Sequence, residues 1–179
     1  MKSLVLYYSK TGNNRYLAQR CANELAADIE EIKPRLNVFP LQILFSLMKK
    51  SPGIARLSHD VTAYDRVILC GPIWMGHPAS AIGSFLLRFS KNVKRLDFIT
   101  CCGGGDDTKD EKFGYVSVFK MIEILSGGKN IRCEAFPVVL AVPEDKRKES
   151  DVVMKTRLND DNFAGELQEK LDAFLAGIK

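Results

Sequence analysis

The sequence has few of the residues that hold metal ions or form disulfides. Its 179 residues include two histidines and five cysteines, and no C-x-x-C pair occurs. His59 and His77 do not have the spacing of a metal-ligand set. An odd number of unpaired cysteines is typical of reduced thiols. We therefore expect neither a metal centre nor a disulfide framework.

Signals for export and membrane insertion are also missing. No apolar run reaches the roughly 18 residues that a membrane-spanning helix needs, and no secretory leader pattern opens the chain. The formal net charge is +4, without the concentrated basic face and aromatic support of a nucleic-acid interface. These absences predict a cytoplasmic protein with no membrane span and no nucleic-acid partner. The length predicts a single domain over residues 1–179.

A strand-like run followed by a polar loop opens the chain. Leu4–Tyr8 is rich in strand formers, and a helical pattern of apolar residues starts near Leu17. The loop between them is Ser9, Lys10, Thr11, Gly12, Asn13 and Asn14. Because the first N–H groups of a helix lack partners and its dipole is positive there, this loop suits a phosphate. The glycine patterns of triphosphate and dinucleotide sites are absent, so a monophosphate is favoured. A plain turn with an N-cap fits the same residues.

Two later strands end in loops suited to a planar ligand. The run Tyr64–Cys70 leads into Pro72, Ile73, Trp74, Met75 and Gly76. The run from Leu96 leads into Thr100, Cys101, Cys102, Gly103, Gly104, Gly105 and Asp106. The loop of residues 72–76 holds the only tryptophan in the sequence. The three glycines of the loop of residues 100–106 let the backbone lie flat against a ring. A core tryptophan and a flexible loop without a ligand are the alternative interpretations.

An apolar, basic segment separates the second and third predicted strands. Residues 34–57 include Arg35, Lys49, Lys50 and Arg56 but no acidic residue. The pattern predicts a helix of about three turns with apolar side chains on more than one face. Packing against the sheet edge is the ordinary interpretation. Contact with the ligand cleft, a second copy of the chain or a membrane surface are alternatives.

Strands alternate with helices along the whole chain, which predicts a doubly wound parallel α/β sheet. Three loops carry a resemblance to the flavodoxin family. They are Ser-x-Thr-Gly-Asn from Ser9, Gly71-Pro-Ile-Trp-Met-Gly-His-Pro78, and Thr100-Cys-Cys-Gly-Gly-Gly-Asp106. They occur in the right order over nearly the full chain. The resemblance implies five parallel strands in the order 2-1-3-4-5, with FMN beside the first and third strands.

The resemblance also implies roles for these loops. Residues 9–14 would bind the phosphate, residues 72–76 would lie against the isoalloxazine, and residues 100–106 would cover its other flank and pyrimidine edge. The implied function is an FMN-binding oxidoreductase or electron-transfer flavoprotein. Its partners would be NAD(P)H and a quinone- or nitro-type acceptor, or a redox protein. No catalytic residue is predicted, and His77 is expected to be structural. A ligand-sensing or partner-docking protein on the same fold is the alternative.

The sequence departs from the family pattern at three points. Electron-carrying flavodoxins are typically acidic, whereas this chain is positive. Asn14 stands where the family often has threonine, and its amide is expected to donate to the phosphate. The third loop has no aromatic residue before Phe113. One face of the ring is therefore expected to be open to a substrate or covered by residues 38–48, which favours a reductase over a carrier.

Overall fold

A parallel β-sheet with helices on both faces forms the centre of the protein. The structure is a computed structural model and describes residues 1–105 and 109–178. Within those ranges the strands are β1 (Ser3–Tyr7), β2 (Asp28–Glu31), β3 (Arg66–Cys70), β4 (Ile73–Trp74), β5 (His77–Pro78), β6 (Leu96–Cys102) and β7 (Arg132–Pro137). The helices are α1 (Asn13–Leu25), α2 (Phe39–Leu47), α3 (Ser80–Phe89), α4 (Tyr115–Leu125), α5 (Ser150–Lys155) and α6 (Glu166–Ala176).

The main sheet has five strands in the order β2-β1-β3-β6-β7, and every neighbouring pair is parallel. This confirms the predicted doubly wound sheet and its order 2-1-3-4-5, with β6 and β7 as the fourth and fifth strands. The last strand, β7, ends at Pro137, and a 3-10 turn follows over Val138–Ala141. Proline cannot donate to a strand ladder, which accounts for the end of the strand at this residue.

Side chains along β1 point alternately into two hydrophobic clusters, one on each face of the sheet. Leu4 and Leu6 pack in the cluster that includes α3 and α4. Val5 packs on the opposite side, with α1 and α6. Because successive strand residues point to opposite faces, the central apolar strands supply both layers of core.

The carboxyl ends of β1, β3 and β6 lie at one edge of the sheet. Tyr7 pairs with Cys70, and Cys70 in turn pairs with Ile99 near the end of β6. The loops that follow these three strands therefore emerge side by side. A crevice outside the carboxyl ends of the strands is the usual ligand site of an open α/β sheet.

The apolar segment after β2 forms α2, as predicted, although the helix has nine residues. It contacts α3 and the short strand β5. An isolated bridge between Pro34 and Ile54 closes the base of the segment. In the described part of the chain, no helix has the length and hydrophobicity to cross a membrane.

Candidate functional site

The first loop leaves the start of α1 open. Gly12 is the N-cap residue and has a φ of 100°, a backbone conformation that glycine adopts readily. No side chain among the described residues caps the helix. The N–H of Gly12 donates to Ser9 Oγ at 3.1 Å, and Thr11 is exposed beside it. The first helical N–H groups and the Thr11 hydroxyl are thus placed to bind an anion.

The side chains of Asn13 and Asn14 bond neighbouring segments of the protein. Asn14 Nδ2 donates to the carbonyl of Cys101 at 3.1 Å, and Asn14 Oδ1 accepts from the Cys101 N–H at 2.8 Å. Asn13 Nδ2 donates to the Thr156 carbonyl at 3.2 Å, and its Oδ1 accepts from the Leu158 N–H at 3.0 Å. One N–H of the Asn14 amide is therefore used by Cys101, and the expected bond from this amide to a phosphate stays a prediction. Both amides hold α1 to neighbouring segments, and the backbone N–H groups at the uncapped start of α1 are the donors that an anion could use.

The second loop is not the plain loop that was predicted, because β4 and β5 form a small antiparallel hairpin. Its tip has φ values of 51° at Met75 and 75° at Gly76. A Cβ atom on Gly76 would lie 2.8 Å from the carbonyl oxygen of Lys112, so only glycine fits. A left-handed methionine is uncommon and marks a constrained backbone. The Nδ1 atom of His77 lies 3.0 Å from the Met75 carbonyl oxygen and supports the tip.

Trp74 joins the hairpin to the first loop through aromatic contacts. Its ring meets Tyr8 edge-on at 5.8 Å between centroids, and Phe39 of α2 edge-on at 5.3 Å. Lys10 Nζ lies 5.1 Å from the centre of the Phe39 ring. The hydroxyl of Tyr8 donates to Gln42 Oε1 at 2.6 Å. Burial raises the pKa of Tyr8, although the bond to Gln42 opposes the shift, so the hydroxyl remains a donor at neutral pH.

A cleft of about 260 Å³ separates the hairpin from the third loop. Its walls are Ile73, Met75, Cys102, Gly103, Gly104, Glu111, Phe113, Gly114 and Tyr115. Two aromatic residues that the sequence did not assign to the site therefore belong to it. They are Phe113, which precedes α4 and is 57% exposed, and Tyr115, the first residue of α4. The signal in the sequence was Phe-Gly-Tyr at positions 113–115, where a glycine interrupts the helical pattern.

The third loop divides into strand residues and cleft residues. Thr100 and Cys101 belong to β6 and are buried, whereas Cys102 is the last residue of the strand and reaches the cleft. The Thr100 hydroxyl has no hydrogen-bond partner among the described residues. Gly105 is described but does not line the cleft, and Asp106 lies outside the described residues. The cleft face is thus made by the Cys102 end of the strand and the next two glycines.

Thiols at the ends of the central strands are buried. Cys70 Sγ lies 3.2 Å from the backbone oxygen of Asn14. Burial raises the pKa of Cys70 and of Cys101 far above the usual thiol range, and it raises the pKa of Cys21 to about 12. These thiols are neutral at physiological pH and act as packing side chains. No group of three or more His, Cys, Asp or Glu side chains in the described ranges is arranged to hold a metal ion.

The sheet order, and three loops converging at its carboxyl edge, define a flavodoxin-like α/β protein. A flavoprotein from Lactobacillus acidophilus, solved in complex with FMN, superposes with a TM-score of 0.61 at 19% identity, covering 75% of this chain and 91% of that one. Oxidised flavodoxin 1 from Bacillus cereus superposes with a TM-score of 0.50 at 16% identity, covering 99% and 97% of the two chains. At these identities the likeness shows the fold.

Comparison of the amino-acid sequence with known proteins does not identify a family for this chain. No protein-family model matches the chain. An uncharacterized protein of Archaeoglobus fulgidus is 27% identical over 124 residues, which span 69% of this chain and 77% of that protein. The flavodoxin-like fold is accordingly established by structure, and the chemistry has to be argued from the site.

Proposed function

We propose that this protein binds FMN and works as an oxidoreductase. The observation that carries the proposal is the uncapped start of α1, with Gly12 at a φ of 100°, at the same sheet edge as the cleft. A phosphate needs the free N–H groups of an uncapped helix start, and a flat ring needs a cleft. The FMN complex of the L. acidophilus flavoprotein, which shares the fold, supports FMN as the ligand.

The residues present fit the two ends of such a ligand. The backbone N–H groups at the start of α1, with the hydroxyls of Ser9 and Thr11, would bind the phosphate. The cleft offers apolar and glycine surfaces from Met75, Gly103 and Phe113. These surfaces exclude water from one side of a planar ring and leave the backbone close enough to bond its polar edge.

Bound FMN supplies the electron-accepting ring, and the protein orients the ring and tunes it through its surroundings. The lining of the cleft includes Glu111, and the next residue, Lys112, has its Nζ 5.5 Å from the centre of the Phe113 ring. The positive net charge of the chain favours transfer to a small acceptor over docking with a basic redox protein.

Within this proposal the protein takes electrons from NAD(P)H and passes them to a quinone- or nitro-type acceptor. Met75 and Phe113 are both more than half exposed, so the cleft is open to a second planar molecule. The test is oxidation of NADH and NADPH by the FMN-loaded protein, with and without a quinone. Acceptor-dependent turnover supports a reductase. FMN binding without turnover with either nucleotide contradicts it and leaves a carrier or a ligand sensor.

Thr11→Ala is expected to weaken FMN binding by about tenfold or more, because one hydrogen bond to a charged group contributes roughly 1.5–3 kcal/mol. Thr11→Ser keeps the hydroxyl and serves as the matched control, with an affinity near that of the parent. Calorimetric titration of the apoprotein with FMN, and separately with FAD, measures both effects. An unchanged affinity in Thr11→Ala, or a preference for FAD, would place the phosphate elsewhere.

A further inference from the structure

We propose that the outer face of α2 docks on the surface of an anionic membrane. This face, called the α2 face below, consists of exposed apolar residues: Val38, Phe39, Leu41, Leu44, Leu47 and Met48. The proposal is independent of the redox activity proposed above, because it concerns a surface that the cleft does not include.

The helix α2 turns its polar residues toward the protein and its apolar residues toward solvent. Its buried residues are Gln42 and Ser46, both polar, whereas Leu44 is 46% exposed and Met48 is 50% exposed. A surface helix of a globular protein normally turns its apolar residues inward. Contiguous exposed apolar residues mark a surface that contacts something else.

Hydrogen bonds explain why the polar side of α2 faces the protein. Gln42 accepts from the Tyr8 hydroxyl, and its Nε2 donates at 3.1 Å to the Leu36 carbonyl and at 3.1 Å to Asn37 Oδ1. Ser46 Oγ donates to the Gln42 carbonyl at 2.9 Å. The bond from Tyr8 ties the polar side of α2 to the end of β1, and the other three bonds stabilise the helix and its start locally. The leucines of α2 are therefore left on the outside.

The charges around the α2 face select its partner. Residues 32–59 contain no aspartate or glutamate, and they contain five basic residues: Lys33, Arg35, Lys49, Lys50 and Arg56. Lys49 and Lys50 follow the helix directly and are exposed. Apolar side chains flanked by lysines are the composition of helices that lie in an anionic lipid interface. Two copies of the chain, packed through this face, would bring the same lysines together without acidic partners from the segment.

The apolar surface continues beyond α2. A cavity of about 120 Å³ lies between α2, α3 and α4, with Phe45, Met121 and Leu125 in its walls and Lys49 and Lys50 among its lining residues. Two other lining residues are strongly exposed, Leu87 at 58% and Ile124 at 75%. The surface available to lipid therefore extends from one helix to three, with the lysines at its edge.

Vesicle sedimentation tests the proposal on the full chain. We expect the protein to sediment with phosphatidylcholine vesicles that contain phosphatidylglycerol, and not with phosphatidylcholine alone. Added salt should weaken binding. Two double variants should each lose about tenfold or more in vesicle affinity. Leu44→Ser/Met48→Ser removes apolar area, and Lys49→Gln/Lys50→Gln removes positive charge.

A matched control lies on the other side of the sheet. Met154, 71% exposed, and Lys155 are neighbours on α5, whose Val153 packs in the cluster of α1 and α6. Met154→Ser/Lys155→Gln removes one apolar and one charged group there and should leave vesicle binding unchanged. Far-ultraviolet circular dichroism of each variant verifies folding.

Hydrogen exchange on the unmodified protein gives a second measurement. Backbone amides of residues 39–48 should become protected when anionic vesicles are added. The proposal is overturned by equal binding to neutral and anionic vesicles, by no binding to either, or by no protection of α2. It is also overturned if the unmodified protein is a dimer in solution that Leu44→Ser/Met48→Ser separates, since a second copy then covers the face.

Discussion

Replacement of Arg66 by methionine is expected to lower the free energy of unfolding by about 3–5 kcal/mol, the usual cost of removing one partner from a buried ion pair. The guanidinium of Arg66, at the start of β3, pairs with the carboxylate of Asp97 on β6, and both side chains are nearly inaccessible to water. Arg66→Met takes the guanidinium away from the buried Asp97 carboxylate, which keeps only the charge and the backbone N–H of Arg132 among the favourable contacts that act on its pKa. Urea unfolding at neutral pH measures the loss.

The loss should depend on pH in a defined direction. Burial already raises the pKa of Asp97, although Arg66 opposes the shift. A carboxyl group whose pKa is raised by folding destabilises the protein as pH rises from its unfolded pKa through its folded pKa. Without Arg66 this effect grows, so Arg66→Met should be less destabilising at about pH 4, where Asp97 can take a proton.

Two controls separate this effect from general damage. Arg66→Met/Asp97→Leu removes both charges and should recover most of the lost stability. Lys94→Met breaks a half-exposed ion pair, in which Lys94 Nζ lies 3.1 Å from Asp65 Oδ1. This change should lower the free energy of unfolding by less than about 1 kcal/mol. A cost for Arg66→Met as small as that for Lys94→Met would show that the Arg66–Asp97 pair is not desolvated.

Asn14→Ala is expected to destabilise the fold by about 2–4 kcal/mol, because the change leaves the buried N–H and carbonyl of Cys101 without partners. It also frees the start of α1 from the end of β6, so the apoprotein should bind FMN more weakly. Urea unfolding and calorimetric titration measure the two effects. Threonine has a shorter side chain and one polar atom in place of the two that bond Cys101, so Asn14→Thr should restore stability only in part.

Asn23→Ala is the matched control for Asn14→Ala. Asn23 is on the same helix but exposed, and alanine is the better helix former, so stability should stay within about 0.5 kcal/mol of the parent. If Asn14→Ala were as stable as Asn23→Ala, the bridge between α1 and β6 would contribute nothing to the fold.

The order of the elements was predictable from the sequence because it depends on local pattern. The continuous apolar run Val67–Cys70 predicted a central strand, and helices between such runs predicted a parallel sheet. Once the sheet is parallel, the loops after β1, β3 and β6 must meet at one edge. The position of the site followed from topology without any knowledge of individual contacts.

The contacts inside the site were not predictable, because they join residues far apart in sequence. The Asn14 bridge reaches 87 residues along the chain, to Cys101. The expectation for Asn14 came from the family habit at that position, which says nothing about where an amide points. Phe113 was not assigned to the site from the sequence, and its place at the cleft depends on the close approach of the hairpin tip at Gly76 to Lys112 and Phe113.

The burial of α2 shows the limit of hydrophobic periodicity. An apolar helix beside a sheet is ordinarily expected to pack its leucines inward, and here Gln42 faces the protein instead, where it accepts a hydrogen bond from Tyr8 and donates to Leu36. A single buried glutamine in an apolar run was the available sign. Hydrophobic periodicity alone does not predict that a glutamine such as Gln42 is buried while its apolar neighbours are exposed.

The buried thiols have a consequence for resistance to oxidants and electrophiles. Only the thiolate form of cysteine reacts readily with peroxide or an electrophilic quinone. With a pKa of about 12, Cys21 is a thiolate in roughly one molecule in 100,000 at neutral pH, and burial shifts Cys70 and Cys101 further in the same direction. The chain therefore uses cysteine as a small packing residue in its central strands and helix without exposing those positions to covalent damage.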